Sequence, residues 1–122
     1  MIKGVGTDIL ELEKIKRYSQ QKSFINKVFT QKEIAYAENK KNKISHLATA
    51  FAAKEAVFKA FGAKWFNPKE IEIIRNKKGE PKAILSGNLK KLLKNDKVML
   101  SLSYSDNYAI AFAIINKEKK YK

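Results

Sequence analysis

The chain has 122 residues, of which 44% are apolar and 31% charged, and this composition is typical of a globular protein rather than a disordered one. It contains no cysteine and one histidine, which excludes disulfides, cysteine nucleophiles, cysteine-type zinc sites and multi-histidine metal sites. No apolar run approaches the roughly 20 residues needed to span a bilayer, and the glycine-rich N-terminus does not resemble a secretory signal. We therefore expect one domain over residues 1–122, cytoplasmic and without membrane association.

The formal net charge of +14 predicts attraction to polyanions such as nucleic acid, anionic lipid, phosphorylated ligands or an acidic protein. Nearly all of the basic residues are lysines, since the arginines are Arg17 and Arg75 alone. Arginine is the better bidentate reader of phosphate. A polyanion-binding surface and a compositional bias of the source genome both account for the lysine excess.

The first third of the chain predicts a strand followed by helical segments. Residues 2–9 are short, glycine-punctuated and β-favouring, and predict a strand. Helical spacing follows in three apolar residues, Leu10, Leu12 and Ile15. Residues 24–29 form a short apolar turn, after which Thr30 and Glu33 make a capping box that predicts a helix to about Asn39.

A long apolar helix is predicted in the middle of the chain. Residues 40–43 form a solvated connection, Ser45 caps the helix, and the helix spans residues 47–61 and ends at Gly62. Three charged residues interrupt its apolar sequence: Lys54, Glu55 and Lys59.

The sequence pattern in the rest of the chain predicts mostly strands. After a turn at Asn67-Pro68, strands are expected at residues 71–73, 83–85, 98–105 and 108–115, with a short basic helix at 87–94. The last strand is apolar enough to be central and buried on both faces. Residues 117–122 form a charged, frayed tail. The predicted class is α+β, with an antiparallel sheet packed on the long helix.

Two carboxylates stand in unusual places: Asp8 at the end of the first predicted strand and Glu55 in the apolar helix. A simple helical ion pair between Glu55 and Lys59 explains one of them, and spacing alone favours this interpretation. Alternatively, Asp8 and Glu55 jointly hold a hard divalent ion, and Lys59 meets a phosphate bound to that ion.

Four segments resemble one enzyme family, the holo-acyl-carrier-protein synthases. Residues 4–11 (GVGTDILE) resemble the family's G-x-G-x-D-I-x-E opening, and residues 51–62 (FAAKEAVFKAFG) its F-A-A-K-E-A-x-x-K-A-x-G helix. Residues 29–33 (FTQKE) are similar to its F-T-x-x-E segment, and residues 101–109 (SLSYSDNYA) lie where it carries S-x-S-H-x and then Y-A. The segments occur in family order and cover essentially the whole chain.

The resemblance implies a 4′-phosphopantetheinyl transferase fold that assembles as a trimer with active sites at subunit interfaces. It implies transfer of 4′-phosphopantetheine from coenzyme A to a serine of apo acyl carrier protein, with Mg²⁺ as cofactor and adenosine 3′,5′-bisphosphate as the released product. This reaction supports fatty acid biosynthesis. The expected partners are coenzyme A, the carrier protein and further copies of this chain, and no specific nucleic acid.

The resemblance also assigns residues, each matched to a family position. Asp8 and Glu55 become the Mg²⁺ ligands, and with Lys59, which contacts the transferring phosphate, they form the catalytic set. Coenzyme A contacts are expected from Lys54, Lys59, Gly62, Ser103 and Tyr104. Carrier-protein docking is expected on Lys14, Lys16 and Arg17. The base that accepts the serine proton is a metal-bound water or Asp8 itself.

Three departures concern the nucleotide pocket. Tyr104 stands where the family usually has histidine, Ala50 where arginine is frequent, and Phe58 where a small polar residue is usual. A neutral tyrosine donates a hydrogen bond but carries no positive charge. Lys43 and His46 are candidate replacements.

The apolar pair Trp65 and Phe66 belongs either to a core or subunit contact or to a wall of the coenzyme A pocket. Two other functions stay open for the chain: a non-catalytic relative that binds coenzyme A or carrier protein, and a basic nucleic-acid-binding domain. The second has no recognisable reader motif.

Overall fold

The structure is a computed structural model that describes residues 1–64 and 66–118. Trp65 and the end of the predicted tail, residues 119–122, lie outside the described residues. The strands are β1 (Ile2–Glu11), β2 (Ile71–Arg75), β3 (Pro81–Leu85), β4 (Lys97–Tyr104) and β5 (Tyr108–Asn116). The helices are α1 (Leu12–Tyr18), α2 (Lys22–Val28), α3 (Gln31–Glu38), α4 (Lys43–Phe61) and α5 (Gly87–Leu93), with a 3-10 turn at Pro68–Glu70.

Two antiparallel sheets flank the long helix. Strands β1, β5 and β4 form a three-stranded sheet in the order β1-β5-β4, and β2 and β3 form a hairpin. Helix α4 packs along β1 and β5 on one side and contacts β2 and α3 on the other. The predicted α+β class is confirmed. No helix in the described part of the chain is long and apolar enough to cross a membrane.

Helix α4 lies unusually close to β1 because two glycines face it. A Cβ built on Gly4 would lie 2.0 Å from the Ala60 carbonyl oxygen, and one on Gly6 would lie 2.0 Å from that of Ala56. Side chains alternate along a strand, so Asp8 lies on the same face of β1 as these glycines. The close approach therefore brings the Asp8 carboxylate beside the last turns of α4.

The capping box predicted for α3 is confirmed. The Thr30 hydroxyl accepts from the Glu33 amide at 3.3 Å, and a Glu33 carboxylate oxygen accepts from the Thr30 amide at 2.9 Å. Gly62 ends α4 as predicted, with φ at 68°, a backbone conformation that glycine adopts without strain.

Other boundaries differ from the prediction. Helix α4 begins at Lys43, so Ser45 is inside it rather than capping it, and an ion pair of 2.7 Å between Lys43 and Glu38 spans the connection. The apolar segment is helical up to Val28, because Phe24 packs among the rings of Tyr18, Phe29 and Phe51, with centroids 5.3 to 6.1 Å away. Tertiary packing therefore stabilises a helix where the local sequence predicts a turn.

Strand β5 is central, as predicted, but it is not buried on both faces. Its inward residues Ala109, Ala111 and Ala113 are fully buried against α4, whereas Ile110 and Phe112 are exposed on the opposite face. The strand therefore has one face in the core and an apolar face directed outward.

We predict that Gly6→Ala destabilises the protein far more than Gly79→Ala. The new methyl group at position 6 meets the Ala56 carbonyl, and overpacking against backbone costs about 3 kcal/mol. Position 79 has open space, so its cost is about 1 kcal/mol, from its positive φ of 85° alone. Urea unfolding of both variants measures the difference, and equal losses would contradict the close approach.

Candidate active site

Two of the predicted catalytic residues, Asp8 and Lys59, meet where β1 runs past the end of α4. The Lys59 ammonium donates to a carboxylate oxygen of Asp8 and to the carbonyl of Thr7, each at 3.0 Å. Glu55 lies one turn before Lys59 on the same helix, on the side that Asp8 approaches. The ion pair seen here thus joins Lys59 to Asp8 across 51 residues of sequence rather than to its helical neighbour Glu55.

Glu55 is partly buried, and its electrostatics show that it lies near the other carboxylate. Burial raises the pKa of the Glu55 carboxyl, the negative charge of Asp8 raises it further, and the nearby Lys59 ammonium opposes the shift. Two carboxylates that repel each other in a partly desolvated place are stabilised by a cation between them.

The donor set fits a hard divalent ion. Carboxylate oxygens are the ligands that Mg²⁺ prefers, and Mg²⁺ is commonly held by one or two carboxylates with water and substrate phosphate completing its octahedron. Across residues 1–64 and 66–118, no three acidic, histidine or cysteine side chains converge on one point. Asp8 and Glu55 would therefore be a two-carboxylate site of the kind that a phosphate ligand completes.

An open cleft lies beside this constellation. It is lined by Thr7, Asp8, Ile9, Lys59 and Ile110. Three of these, Thr7, Ile9 and Ile110, belong to the outward face of the sheet. Asp8, with 16% of its side chain exposed, also lines this cleft, although its side chain lies on the opposite face of β1, toward α4.

Lys54, for which a contact with coenzyme A was predicted, does not line the cleft. Its side chain is fully buried, and its ammonium pairs with the Glu33 carboxylate at 2.8 Å. The ammonium also donates to the carbonyls of Pro68 and Ile71, at 2.9 and 2.6 Å. Burial lowers the pKa of Lys54, and the Glu33 carboxylate opposes this shift.

Ser103 and Tyr104 lie at the end of β4. Ser103 is exposed on the outward face, in one row with Ile110 and Ile9. The Tyr104 hydroxyl accepts from the Asn42 side-chain amide at 3.4 Å. Gly62 is exposed at the end of α4 with open space around it.

An aromatic cluster at the start of α4 contains His46, which was a candidate from sequence alone. The His46 ring lies edge-on to Tyr104, with centroids 5.9 Å apart, and to Tyr36, with centroids 5.4 Å apart. Burial, then the charges of Arg75 and Lys40, lowers the pKa of His46, which favours the neutral ring. Its Nδ1 atom is buried without a hydrogen-bond partner in the described residues.

Arg75 is a neighbour of this cluster that sequence reasoning did not select. Its guanidinium donates to the Thr49 hydroxyl on α4 and to the Gly79 carbonyl, each at 3.2 Å. Ala50 is buried next to Thr49. The signal available in the sequence was the rarity of arginine in this chain.

Phe58 and Phe66 stack on each other, with centroids 4.3 Å apart and planes 24° apart. This contact packs Phe66, which follows Gly62, against Phe58 on the surface of α4. The three predicted docking residues, Lys14, Lys16 and Arg17, are exposed on α1, while Leu12 and Ile15 of that helix are buried.

The fold and this constellation define a known class of protein. The sequence profile of the 4′-phosphopantetheinyl transferase superfamily matches residues 4–113, and the chain belongs to this superfamily. Within it, the chain is 45% identical over 120 residues to the holo-[acyl-carrier-protein] synthase of Clostridium botulinum, covering 94% of this chain and 98% of that protein. It is 42% identical to the holo-[acyl-carrier-protein] synthase of Thermodesulfovibrio yellowstonii, covering 94% of this chain and 99% of that protein.

Solved structures give the same result. The holo-[acyl-carrier-protein] synthase of Neisseria meningitidis superposes with a TM-score of 0.87 at 30% identity, covering 96% of this chain and 100% of that chain. The synthase of Bacillus anthracis, solved in complex with CoA (3′,5′-ADP), superposes with a TM-score of 0.82 at 31% identity, covering 97% and 99%. The predicted 4′-phosphopantetheinyl transferase fold is confirmed.

Proposed function

We propose that this chain is a holo-acyl-carrier-protein synthase. It transfers 4′-phosphopantetheine from coenzyme A to a serine hydroxyl of apo acyl carrier protein and releases adenosine 3′,5′-bisphosphate. The observation that carries the proposal is the ion pair of Lys59 and Asp8 at the cleft, with Glu55 close enough for the Asp8 charge to act on its carboxyl group. The holo carrier then serves fatty acid biosynthesis in the cytoplasm.

Each residue of the constellation has a part in this reaction. Asp8 and Glu55 would hold Mg²⁺, which when bound neutralises the charge that grows on the pyrophosphate as its bridging bond breaks. The Lys59 ammonium, held at the cleft by Asp8 and Thr7, contacts the phosphate that is transferred. The serine oxygen forms the new phosphorus–oxygen bond as the bridging oxygen leaves with adenosine 3′,5′-bisphosphate. Asp8 lines the cleft and is the carboxylate placed to accept the proton of the serine hydroxyl.

Coenzyme A would extend from this cleft past Gly62 on one side and Ser103 and Tyr104 on the other. Lys54 takes no part in this contact, because its ammonium is buried in an ion pair. The neutral His46 ring supports Tyr104 by packing, so positive charge for the nucleotide phosphates comes from lysines, with Lys43 the candidate at the start of α4.

The outward face of the β1-β5-β4 sheet supports assembly into a homotrimer. Apolar side chains dominate it, namely Val5, Ile9, Met99, Ile110 and Phe112, and Ile9 is 64% exposed. A contiguous exposed patch of this kind marks an interaction surface. A copy seated there also covers the cleft, because Ile9 and Ile110 belong to both.

The exposed face of α1 suits an acidic partner. Lys14, Lys16 and Arg17 project from it, and acyl carrier protein is the acidic partner of this reaction. Opposite charge across an interface raises the association rate more than the final affinity, and salt screens it.

We predict that the protein, incubated with coenzyme A, Mg²⁺ and apo acyl carrier protein, adds one phosphopantetheine to the carrier, as seen by mass spectrometry. Glu55→Gln removes the metal-dependent rate, by a factor of about 100 or more, because a ligand of the charge-neutralising ion is lost. Glu80→Gln, at an exposed residue of the β2–β3 turn, is the matched control with an unchanged rate. Binding of coenzyme A with no transfer would contradict the proposal and favour a non-catalytic relative.

We predict that Lys14→Glu combined with Lys16→Glu raises KM for the carrier protein about tenfold and leaves kcat nearly unchanged, since only encounter and docking are affected. Lys77→Glu combined with Lys78→Glu, on the exposed β2–β3 turn, changes the net charge by the same amount but leaves the docking helix intact, and serves as control. Steady-state kinetics at two salt concentrations measure both. Equal effects of the α1 substitutions and the turn substitutions on KM would show that only net charge matters.

We predict that Phe112→Asp converts a trimer of three times 14.0 kDa into a monomer of 14.0 kDa. A charge placed in the middle of the outward face cannot be buried against another copy without a large cost. Ile84→Asp, at an exposed apolar residue of β3, is the control that keeps the assembly. Sedimentation equilibrium gives the masses, and a monomeric unmodified protein would overturn the trimer.

A further inference from the structure

A buried ion pair joins three elements behind the active-site helix. Glu33 of α3 and Lys54 of α4 lie 2.8 Å apart, with 1% and 0% of their side chains exposed. Two backbone amides, of Thr30 and Ile73, donate to the two Glu33 carboxylate oxygens at 2.9 and 2.7 Å. The Lys54 ammonium has two carbonyl acceptors besides, at Pro68 and Ile71.

This pair is not explained by stability alone. Replacing a buried ion pair with apolar side chains of similar volume is often neutral or stabilising, because desolvation offsets the attraction between the charges. Removing one partner, in contrast, leaves an uncompensated buried charge. The pair can instead orient α4, because hydrogen bonds and ion pairs are satisfied only within a narrow range of lengths and angles.

The opposite side of α4 is held to the sheet by close contact. There the helix packs on glycines and alanines, with Ala56 and Ala60 against Gly6 and Gly4. These contacts set the distance between helix and sheet, and Lys59 adds hydrogen bonds to Thr7 and Asp8 near the end of the helix. The polar contacts of Lys54 hold α4 from the side away from the sheet, at three acceptor atoms, and so resist rotation of the helix about its axis.

Rotation of α4 matters to the active site because Glu55 follows Lys54 directly. Successive residues of a helix are 100° apart, so the direction of Lys54 sets the direction of Glu55. Lys59, about one turn further, moves with the same helix.

We propose that the Glu33–Lys54 ion pair fixes the rotation of α4 so that the Glu55 carboxylate faces Asp8. Glu33 and Lys54 are positioning residues for the metal site, and neither touches substrate. The inference rests on the proposed function, since it takes Glu55 to be a metal ligand.

The test compares Glu33→Gln/Lys54→Met, in which both charges are lost together, with Lys54→Met alone. Mn²⁺ binding is titrated by electron paramagnetic resonance without coenzyme A, and thermal unfolding and kcat are measured on the same samples. We expect the double variant to unfold at a higher temperature than the single variant. We also expect its Kd for Mn²⁺ to rise, and its kcat to fall, by about tenfold, as when partners of metal ligands are removed. Lys69→Met, at an exposed lysine beside the pair, is the matched control.

A folded double variant with Kd and kcat within about twofold of the unmodified protein would overturn the inference, because the pair would then be structural only. Should the double variant not fold, Glu33→Gln alone carries the test, since it leaves Lys54 bonded to its two carbonyls. Glu55→Gln distinguishes failure of the proposed metal site from failure of the positioning role. If the unmodified protein binds Mn²⁺ no better than Glu55→Gln does, the proposed metal site itself fails, and the positioning role fails with it.

Discussion

The contact between the backbone of α4 and that of β1 is the constraint on which the site depends. Gly4 and Gly6 leave no side chain between strand and helix, and the carbonyls of Ala56 and Ala60 fill the space that a Cβ would take. A larger residue at either place would move the helix outward by the width of a methyl group or more. Asp8 would then lose its contact with Lys59, because that bond spans the same gap. The glycines are thus as necessary to the site as the charged residues.

The same contact keeps the two carboxylates together despite their mutual repulsion, in a chain whose net charge is +14. Burial raises the pKa of Glu55, and repulsion by the Asp8 charge raises it further. Neither carboxylate can move away while the strand and the helix are held at backbone distance. The Lys59 ammonium offsets part of this repulsion. A divalent ion offsets more, so the energy stored in the arrangement favours binding of metal and phosphate together. The site is therefore prepared for an anionic ligand that brings its own counter-ion.

Much of this arrangement was predictable from sequence, and the failures have physical causes. The capping box at Thr30 and Glu33 and the end of α4 at Gly62 depend on local backbone chemistry, which short segments of sequence specify. The direction of Lys54 was not predictable, because α4 is apolar nearly all round and its periodicity does not separate a face toward the cleft from a face toward β2. The same limit hid the packing of His46 on Tyr104, two residues far apart in sequence. Strand β5 was assigned two buried faces because its outward residues are as apolar as a core, although the chain itself leaves them exposed.

That outward face connects the fold to the chemistry. The cleft beside Asp8 is bounded by Ile9 and Ile110, so whatever covers the sheet also removes water from the cleft. Charge–charge interactions strengthen as water is excluded, and a lysine at 3.0 Å from a carboxylate is worth little when half of its side chain is in solvent. In the proposed trimer, burial of the apolar face therefore raises the effect of Lys59 and of the two carboxylates on a bound pyrophosphate. A single copy holds Asp8 and Lys59 together, and in the proposed trimer the dielectric environment in which they act would depend on the neighbouring copy.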